Sequence, residues 1–227
     1  MLANTATGTI VDDDNPSANP LVSISAASSI TEGNIGSTTS VTFTVSLDKA
    51  PTSNVTTNYA TSNGTAMEPG DYQRTNNTLT FTPSGSLSQT VTVVVQGDNV
   101  DEDDETFSAT LSNLTGPARL DTSSATVTIV DNDAPPTLAI NNASVTEGTS
   151  GATPAVFTVT LTGSTSKTVT VNFATADSTA TTADSDYAAT TGTLSFAPGD
   201  STKTISVTVT GDTKLEDNEQ FIVTLSN

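Results

Sequence analysis

Two acidic loops of this chain carry carboxylates at the same spacing. One runs Gly97-Asp-Asn-Val-Asp-Glu-Asp-Asp-Glu-Thr-Phe107, and the other runs Gly211-Asp-Thr-Lys-Leu-Glu-Asp-Asn-Glu-Gln-Phe221. Carboxylates held close together repel one another unless they take up protons or bind a cation. A hard divalent ion suits such a site, because Ca²⁺ accepts 6 to 8 oxygen ligands in flexible geometry. The repeated loop therefore predicts a repeated calcium site.

Three more acidic positions precede or follow likely strand ends in the first half of the chain. They are Glu32 before Gly33, Asp71 in a Gly-Asp-Tyr triplet, and the Asp131-Asn-Asp133 run. Loops at one end of a sandwich gather in space although they are distant in sequence, so we expect these acids to meet the first loop. The site is not an EF-hand, since the loop lacks the glycine at its sixth position and no helical pattern flanks it.

Composition excludes several classes of function. The 227 residues include 25 acidic and 6 basic ones, for a net charge of −19, with no His, Cys or Trp. A Ser/His/Asp triad, a thiolate metal site and a typical zinc site are therefore excluded. The negative surface disfavours nucleic acid, and no apolar run is long enough for membrane insertion. Without aromatic sugar platforms we expect no enzyme activity.

Residues that alternate between apolar and hydroxyl side chains dominate the chain, as in Val41-Thr-Phe-Thr-Val-Ser-Leu47. This alternation predicts β-strands with one buried and one wet face. In the first half we expect strands near 21–26, 41–47, 55–60, 78–82, 88–95, 105–111 and 125–130. Seven short strands in about 110 residues predict an all-β chain of two tandem immunoglobulin-like antiparallel β-sandwiches.

The repeat divides the chain into a first module at 20–134 and a second module at 135–227. Residues 1–16 are read as the last strand of another module, because Thr7-Gly-Thr-Ile-Val-Asp-Asp-Asp14 matches Thr126-Val-Thr-Ile-Val-Asp-Asn-Asp133. The second module lacks this strand. Two explanations remain open: a segment cut from a longer array, or head-to-tail donation of residues 5–14 to another copy.

Five motifs follow in fixed order in the first module, and four recur in the second. The first series is Thr31-Glu-Gly33, Gly70-Asp-Tyr72, Leu79-Thr-Phe-Thr-Pro83, Glu105-Thr-Phe107 and Ala125-Thr-Val-Thr-Ile-Val-Asp-Asn-Asp133. The second is Phe173-Ala-Thr175, Ser185-Asp-Tyr187, Leu194-Ser-Phe-Ala-Pro198 and Glu219-Gln-Phe221. The series resembles the Calx-beta domain family, which forms the calcium-sensing part of sodium/calcium exchangers and recurs in bacterial surface proteins.

The resemblance implies a ligand set for Ca²⁺ in each module. In the first module it comprises Glu32, Asp71, Asp98, Glu102, Glu105, Asp131 and Asp133, with the main-chain carbonyl of Val100. In the second module it comprises Glu147, Asp186, Asp212, Glu216 and Glu219, with Asp12 and Asp14 of another copy as the closing acids. The second loop departs from the family pattern, because Lys214 stands in the place of Val100 and Asn218 in the place of Asp104.

A Ser- and Thr-rich, Lys-poor composition is typical of extracellular or cell-surface proteins. We expect a calcium-binding repeat segment of a surface adhesin or fibre, with Ca²⁺ rigidifying the joints between modules. Its expected partners are neighbouring repeats or other copies of the chain. The alternative is a calcium sensor that changes the angle between its modules. Asp71-Tyr72 and Asp186-Tyr187 have a structural alternative as well, a tyrosine packed at a strand end beside a solvated acid.

Overall fold

The computed structural model describes residues 8–9 and 19–227, which form two compact units. The first unit contains residues up to Asp98 and Asp104–Asp131, and the second contains Asn99–Asp103 and Asn132–Asn227. Asp12 and Asp14, and most of the predicted strand at 1–16, lie outside the described residues. The described part of the chain has no helix long and apolar enough to cross a membrane.

The first unit is a two-layer β-sandwich. Its strands are β1 (Leu21–Ser25), β2 (Ser29–Thr31), β3 (Thr38–Leu47), β4 (Val55–Asn63), β5 (Asn76–Phe81), β6 (Ser88–Gln96), β8 (Glu105–Thr115), β9 (Arg119–Thr122) and β10 (Ser124–Val130), while β7 (Val100–Asp101) belongs to the second unit. One sheet has the order β6-β3-β1-β9, and the other has the order β2-β10-β8-β4-β5.

The core of the first unit lies between these sheets. Phe43 of β3 meets Phe107 of β8 edge to face, with ring centroids 6.0 Å apart, and both side chains are fully buried. Inward-facing residues alternate with exposed ones along β3 and β6, because successive side chains of a strand point to opposite faces. Burial of this alternating apolar set is what holds the two layers together.

The second unit repeats the two layers with fewer strands. They are β11 (Thr137–Ile140), β12 (Gly151–Thr162), β13 (Ser164–Thr165), β14 (Val169–Asp177), β15 (Thr191–Phe196), β16 (Thr202–Gly211) and β17 (Phe221–Ser226). The sheets have the orders β11-β12-β16 and β15-β14-β17, and β13 pairs in parallel with β7. Phe157 and Phe221 meet across the layers at 5.8 Å between ring centroids.

The structure confirms the predicted all-β sandwich fold and adds strands that the pattern missed. β2 and β7 have three and two residues, too short to show alternation, and β9 is exposed at every position. The sheets are also not purely antiparallel, since β1 pairs with β9 and β2 with β10 in parallel. The module boundaries at 20–134 and 135–227 stay predictions.

Candidate metal centres

A close approach between two turns places the first acids of each cluster. In the first unit a Cβ added to Gly97 would lie 2.6 Å from the carbonyl oxygen of Gly33, so only glycine fits there. Gly33 itself has φ +97°, a conformation that favours glycine. The carbonyl of the buried Glu32 accepts a hydrogen bond from Thr39 Oγ1 at 3.2 Å. The Glu-Gly turn is thereby fixed beside Asp98.

The second unit repeats this arrangement. A Cβ on Gly211 would lie 2.6 Å from the carbonyl oxygen of Glu147, and Gly148 has φ +85°. Thr153 Oγ1 donates to the Glu147 carbonyl at 3.3 Å. The same two glycines therefore bring Glu147 beside Asp212, the first acid of the second loop.

A buried tyrosine positions the next acid in the first unit. Tyr72 stacks on Phe107 with ring centroids 4.3 Å apart, and its hydroxyl donates to Asn63 Oδ1 at 2.6 Å. Burial raises the pKa of Tyr72, so its hydroxyl stays protonated. The neighbouring Asp71 accepts a hydrogen bond from the Met67 N–H at 2.6 Å. The tyrosine is packed as its structural alternative expected, while the acid also closes a turn.

The equivalent tyrosine of the second unit uses a carboxylate instead of an amide. Tyr187 stacks on Phe221 at 4.5 Å and donates its hydroxyl to Asp177 Oδ1 at 2.6 Å. That hydrogen bond and one from the Thr182 N–H lower the pKa of Asp177. Asp186, like its counterpart in the first unit, accepts a backbone N–H, that of Thr181 at 2.7 Å.

Carboxylates of the second unit converge in two adjacent groups. Glu147, Asp212 and Glu216 form one group, and Asp186, Glu216 and Glu219 form the other. Within each group every residue offers an oxygen within 4.8 Å of the others. Glu216 belongs to both groups. All five acids expected as ligands in the second module therefore meet in one place.

Lys214 lies inside this acidic cluster. Its Nζ is 2.6 Å from Glu216 Oε1, and its N–H donates to Asp212 Oδ1 at 2.7 Å. The Glu216 carboxylate raises the pKa of Lys214, which stays positively charged. Burial raises the pKa of Glu219, and the negative charge of Asp186 raises it further. The cluster thus holds both excess negative charge and one internal cation.

The acids of the first unit form two close pairs. Glu32 and Asp98 offer oxygens within 4.8 Å of each other, and so do Asp71 and Glu105. Asp131 lies at the end of the unit, where its N–H donates to Asp104 Oδ1 at 3.2 Å. The remaining expected ligands, Val100, Glu102 and Asp133, lie in segments that belong to the second unit. Their assignment as ligands stays a prediction.

Two functional features of the first loop were not predicted. Asp104 holds the backbone of Asp131, and Asp101 is buried, accepting hydrogen bonds from Thr165 Oγ1 at 2.9 Å and from Lys167 Nζ at 3.0 Å. Hydrogen bonding to Lys167 lowers the pKa of Asp101. The signal that could have separated Asp101 from the other acids is its counterpart in the second loop, the apolar Leu215.

The donor set fits calcium. Two oxygens that share one Ca²⁺ at 2.3 to 2.6 Å from each lie at most about 5 Å apart, and the carboxylate oxygens of each group meet this limit. The donors are all oxygens, which hard cations prefer to the nitrogen and sulfur ligands typical of zinc. Ca²⁺ would bind through these carboxylates and neutralise their mutual repulsion.

Comparison with known structures gives several calcium-binding domains. The crystal structure of CBD12 from CALX1.2 is 26% identical with a TM-score of 0.44, and the match covers 91% of this chain and 79% of that one. The calcium binding domain CBD12 of CALX1.1 is 24% identical with a TM-score of 0.43, over 89% and 78% of the two chains. The apo form of the Calx CBD1 domain is 26% identical with a TM-score of 0.40, over 49% and 98%.

The family comparison covers nearly the whole chain. The Calx-beta domain matches twice, at residues 26–133 and at residues 131–227. Each match contains one Glu-Gly turn, one Asp-Tyr pair and one acidic loop. This chain therefore belongs to the Calx-beta domain family, as two tandem copies.

Proposed function

We propose that this chain is a calcium-binding tandem-repeat segment of an extracellular surface adhesin or fibre. The observation that carries the proposal is the convergence of five carboxylates in the second unit, with Glu216 common to both groups. Such a cluster is costly without a cation, since each additional carboxylate is held against the repulsion of the others. The raised pKa of Glu219 reflects that cost.

The composition supports a structural role outside the cell. The chain has no cysteine or histidine, and its surface charge of −19 attracts cations and repels anionic partners. Its strands place Thr and Ser on their outer faces, as in the alternating exposed positions of β6 and β16. Extracellular calcium is abundant enough to keep even a weak site of this kind occupied.

We further propose that Ca²⁺ stiffens the joint between the two modules. The linker Asp131-Asn-Asp-Ala-Pro-Pro-Thr137 is short, and its two prolines restrict the backbone. Two of its residues, Asp131 and Asp133, are expected ligands. An ion bound to them would hold the linker at its acidic end.

Thermal unfolding with and without calcium tests the proposal. At free Ca²⁺ of about 100 times the dissociation constant, mass action adds roughly 2.7 kcal/mol to the stability of a calcium-binding unit. We expect a higher melting temperature in millimolar Ca²⁺ than in chelator, and a smaller shift in the same concentration of Mg²⁺, which demands stricter geometry. Equal melting temperatures in chelator and Ca²⁺ would contradict calcium binding.

Calorimetric titration separates the adhesin from a regulatory sensor. Extracellular calcium modules bind with dissociation constants of about 10⁻⁴ to 10⁻³ M, whereas sensors bind at about 10⁻⁷ to 10⁻⁵ M. We expect the weaker range for this chain. Binding in the tighter range would favour the alternative, in which Ca²⁺ changes the angle between the modules.

A further inference from the structure

Strand β17 has a pairing partner on one side only. It runs antiparallel to β14, with Phe221 opposite Asp177 and Ser226 opposite Asn172. No strand of the described part of the chain pairs with its other edge. The corresponding strand of the first unit is β8, which begins with the matching Glu-Thr-Phe motif and lies between β4 and β10.

This difference changes the burial of the core. The inward residues of β8, Phe107, Ala109 and Leu111, are at most 3% exposed. Their counterparts in β17, Phe221, Val223 and Leu225, are only half-buried. In the first unit β10 covers this part of the core with Val127 and Ile129, both buried. The second unit has an open place of the same kind.

The N-terminal sequence matches the strand that fills this place in the first unit. Ala6-Thr-Gly-Thr-Ile-Val-Asp-Asp-Asp14 is identical to Ala125-Thr-Val-Thr-Ile-Val-Asp-Asn-Asp133 at all positions except Gly8 and Asp13. The match includes Ile10, the counterpart of the buried Ile129. An unpaired strand edge beside exposed apolar side chains is a template for another strand.

We propose that residues 5–14 of one copy of the chain pair with β17 of a second copy. The donated strand is antiparallel to β17, as β10 is to β8, and it covers Phe221, Val223 and Leu225. In β8 and β10 Ser108 lies opposite Thr126, so the same register places Thr7 opposite Ile222. Repetition of this exchange joins copies head to tail. The pairing does not depend on calcium binding.

Cysteine crosslinking tests both the partner and the register, since the chain has no cysteine of its own. One copy carries Thr7→Cys, and a second copy of different tagged length carries Ile222→Cys. Mild oxidation should join the two copies. Thr224→Cys is the matched control, because it lies one diagonal step away, about 7–8 Å, too far for a disulfide.

The first unit supplies an internal standard for the crosslinking yield. Thr126 Oγ1 and Ser108 Oγ lie 3.4 Å apart across β10 and β8, so Thr126→Cys with Ser108→Cys within one chain reports full strand pairing. We expect the mixed copies at high concentration to approach this yield. An absent crosslink between copies overturns the proposal, and so does a Thr7→Cys, Ile222→Cys double variant that crosslinks only within one monomer.

Sedimentation velocity gives a second, independent measurement. The unmodified chain should sediment as a concentration-dependent series of oligomers. The double variant Thr9→Pro, Ile10→Pro should be monomeric, because successive N–H groups alternate sides and one of the two must face β17. An unmodified chain that stays monomeric at high concentration, or a proline variant that assembles equally well, overturns the proposal.

Discussion

The acidic clusters of the two units share a scaffold but differ in charge. In both, a glycine that tolerates no Cβ holds the Glu-Gly turn beside the loop, and a tyrosine stacked on phenylalanine precedes an acid that caps a turn. The loops differ where Lys214 replaces Val100 and Asn218 replaces Asp104. The scaffold therefore determines where a cation binds, and the loop composition determines how strongly.

The replacement of Val100 by Lys214 has a physical consequence for calcium. The Lys214 ammonium is 2.6 Å from a Glu216 oxygen, so it already neutralises part of the cluster. A divalent ion must displace this ion pair or accept the ammonium as a near neighbour. The first loop has no basic residue, and the net charge of its cluster is undiminished. We expect the first module to bind Ca²⁺ more tightly than the second.

The largest expected effect belongs to Glu216→Gln. Because Glu216 takes part in both carboxylate groups, its neutralisation removes a ligand from each. The loss of calcium affinity in the second unit should exceed the roughly 10–100-fold that follows removal of a supporting group around a metal. Titration calorimetry would detect the loss as fewer binding equivalents, with the sites of the first unit retained.

Asp217→Asn is the matched control for that variant. It removes the same charge from the adjacent position, but Asp217 is exposed and belongs to neither group. Equal losses of affinity in the two variants would mean that Glu216 acts through general charge and not as a shared ligand.

The second effect tests the scaffold itself. In Gly97→Ala the new Cβ meets backbone atoms of Gly33 and Asn34 at 2.6 to 2.8 Å, so the Glu-Gly turn must move. Forcing a side chain into such a site costs about 1–3 kcal/mol of stability. Urea unfolding should record this loss together with weaker calcium binding. Gly8→Ala, with nothing within 4 Å, should change neither; if Gly97→Ala is equally silent, the close approach does not position the site.

Much of the fold follows from local patterns, but the partners of the acids do not. The alternation along β3 predicted its buried face, because burial of every second residue is a property of the strand alone. β9 escaped prediction because all four of its residues are exposed and it is held by backbone pairing with β1. Its existence depends on a neighbour distant in sequence.

The candidate site divides in the same way. Acids that recur at one spacing were recognisable as a cluster, and the second unit brings all five of its expected ligands together. The sequence could not separate Asp101 from its neighbours, since its partners Thr165 and Lys167 lie more than 60 residues away. Nor could it place the Lys214 ammonium on Glu216, because the acidic loop offers that flexible side chain several carboxylates.

The third prediction sharpens the contrast between the loops. Lys214→Val gives the second loop the residue of the first, and it removes a positive charge from beside the carboxylates. At 4 Å a unit charge contributes about 1 kcal/mol in a water-like environment and more when partly screened from water, so calcium affinity should rise roughly fivefold or more. Calorimetry at low salt would measure the gain. Lys203→Val, which removes a charge paired with Asp200, is the control and should leave affinity unchanged.

The smallest effect concerns Asp101, whose counterpart Leu215 is 99% exposed. Hydrogen bonding to Lys167 lowers the pKa of Asp101 in the folded protein. The stability it contributes is therefore complete above its unfolded pKa, near 3.9, and is lost as the pH falls through the lower folded value. Because Lys167 is partly exposed, we expect Asp101→Asn to cost no more than about 1 kcal/mol at pH 7. Urea unfolding at pH 7 and below pH 3 should show this difference shrinking in acid. Asp103→Asn, on a 91% exposed partner of the same lysine at 3.4 Å, should cost less at either pH. Equal costs for the two variants, or a cost of Asp101→Asn that persists in acid, would mean that Asp101 acts through its buried shape and not through its charge.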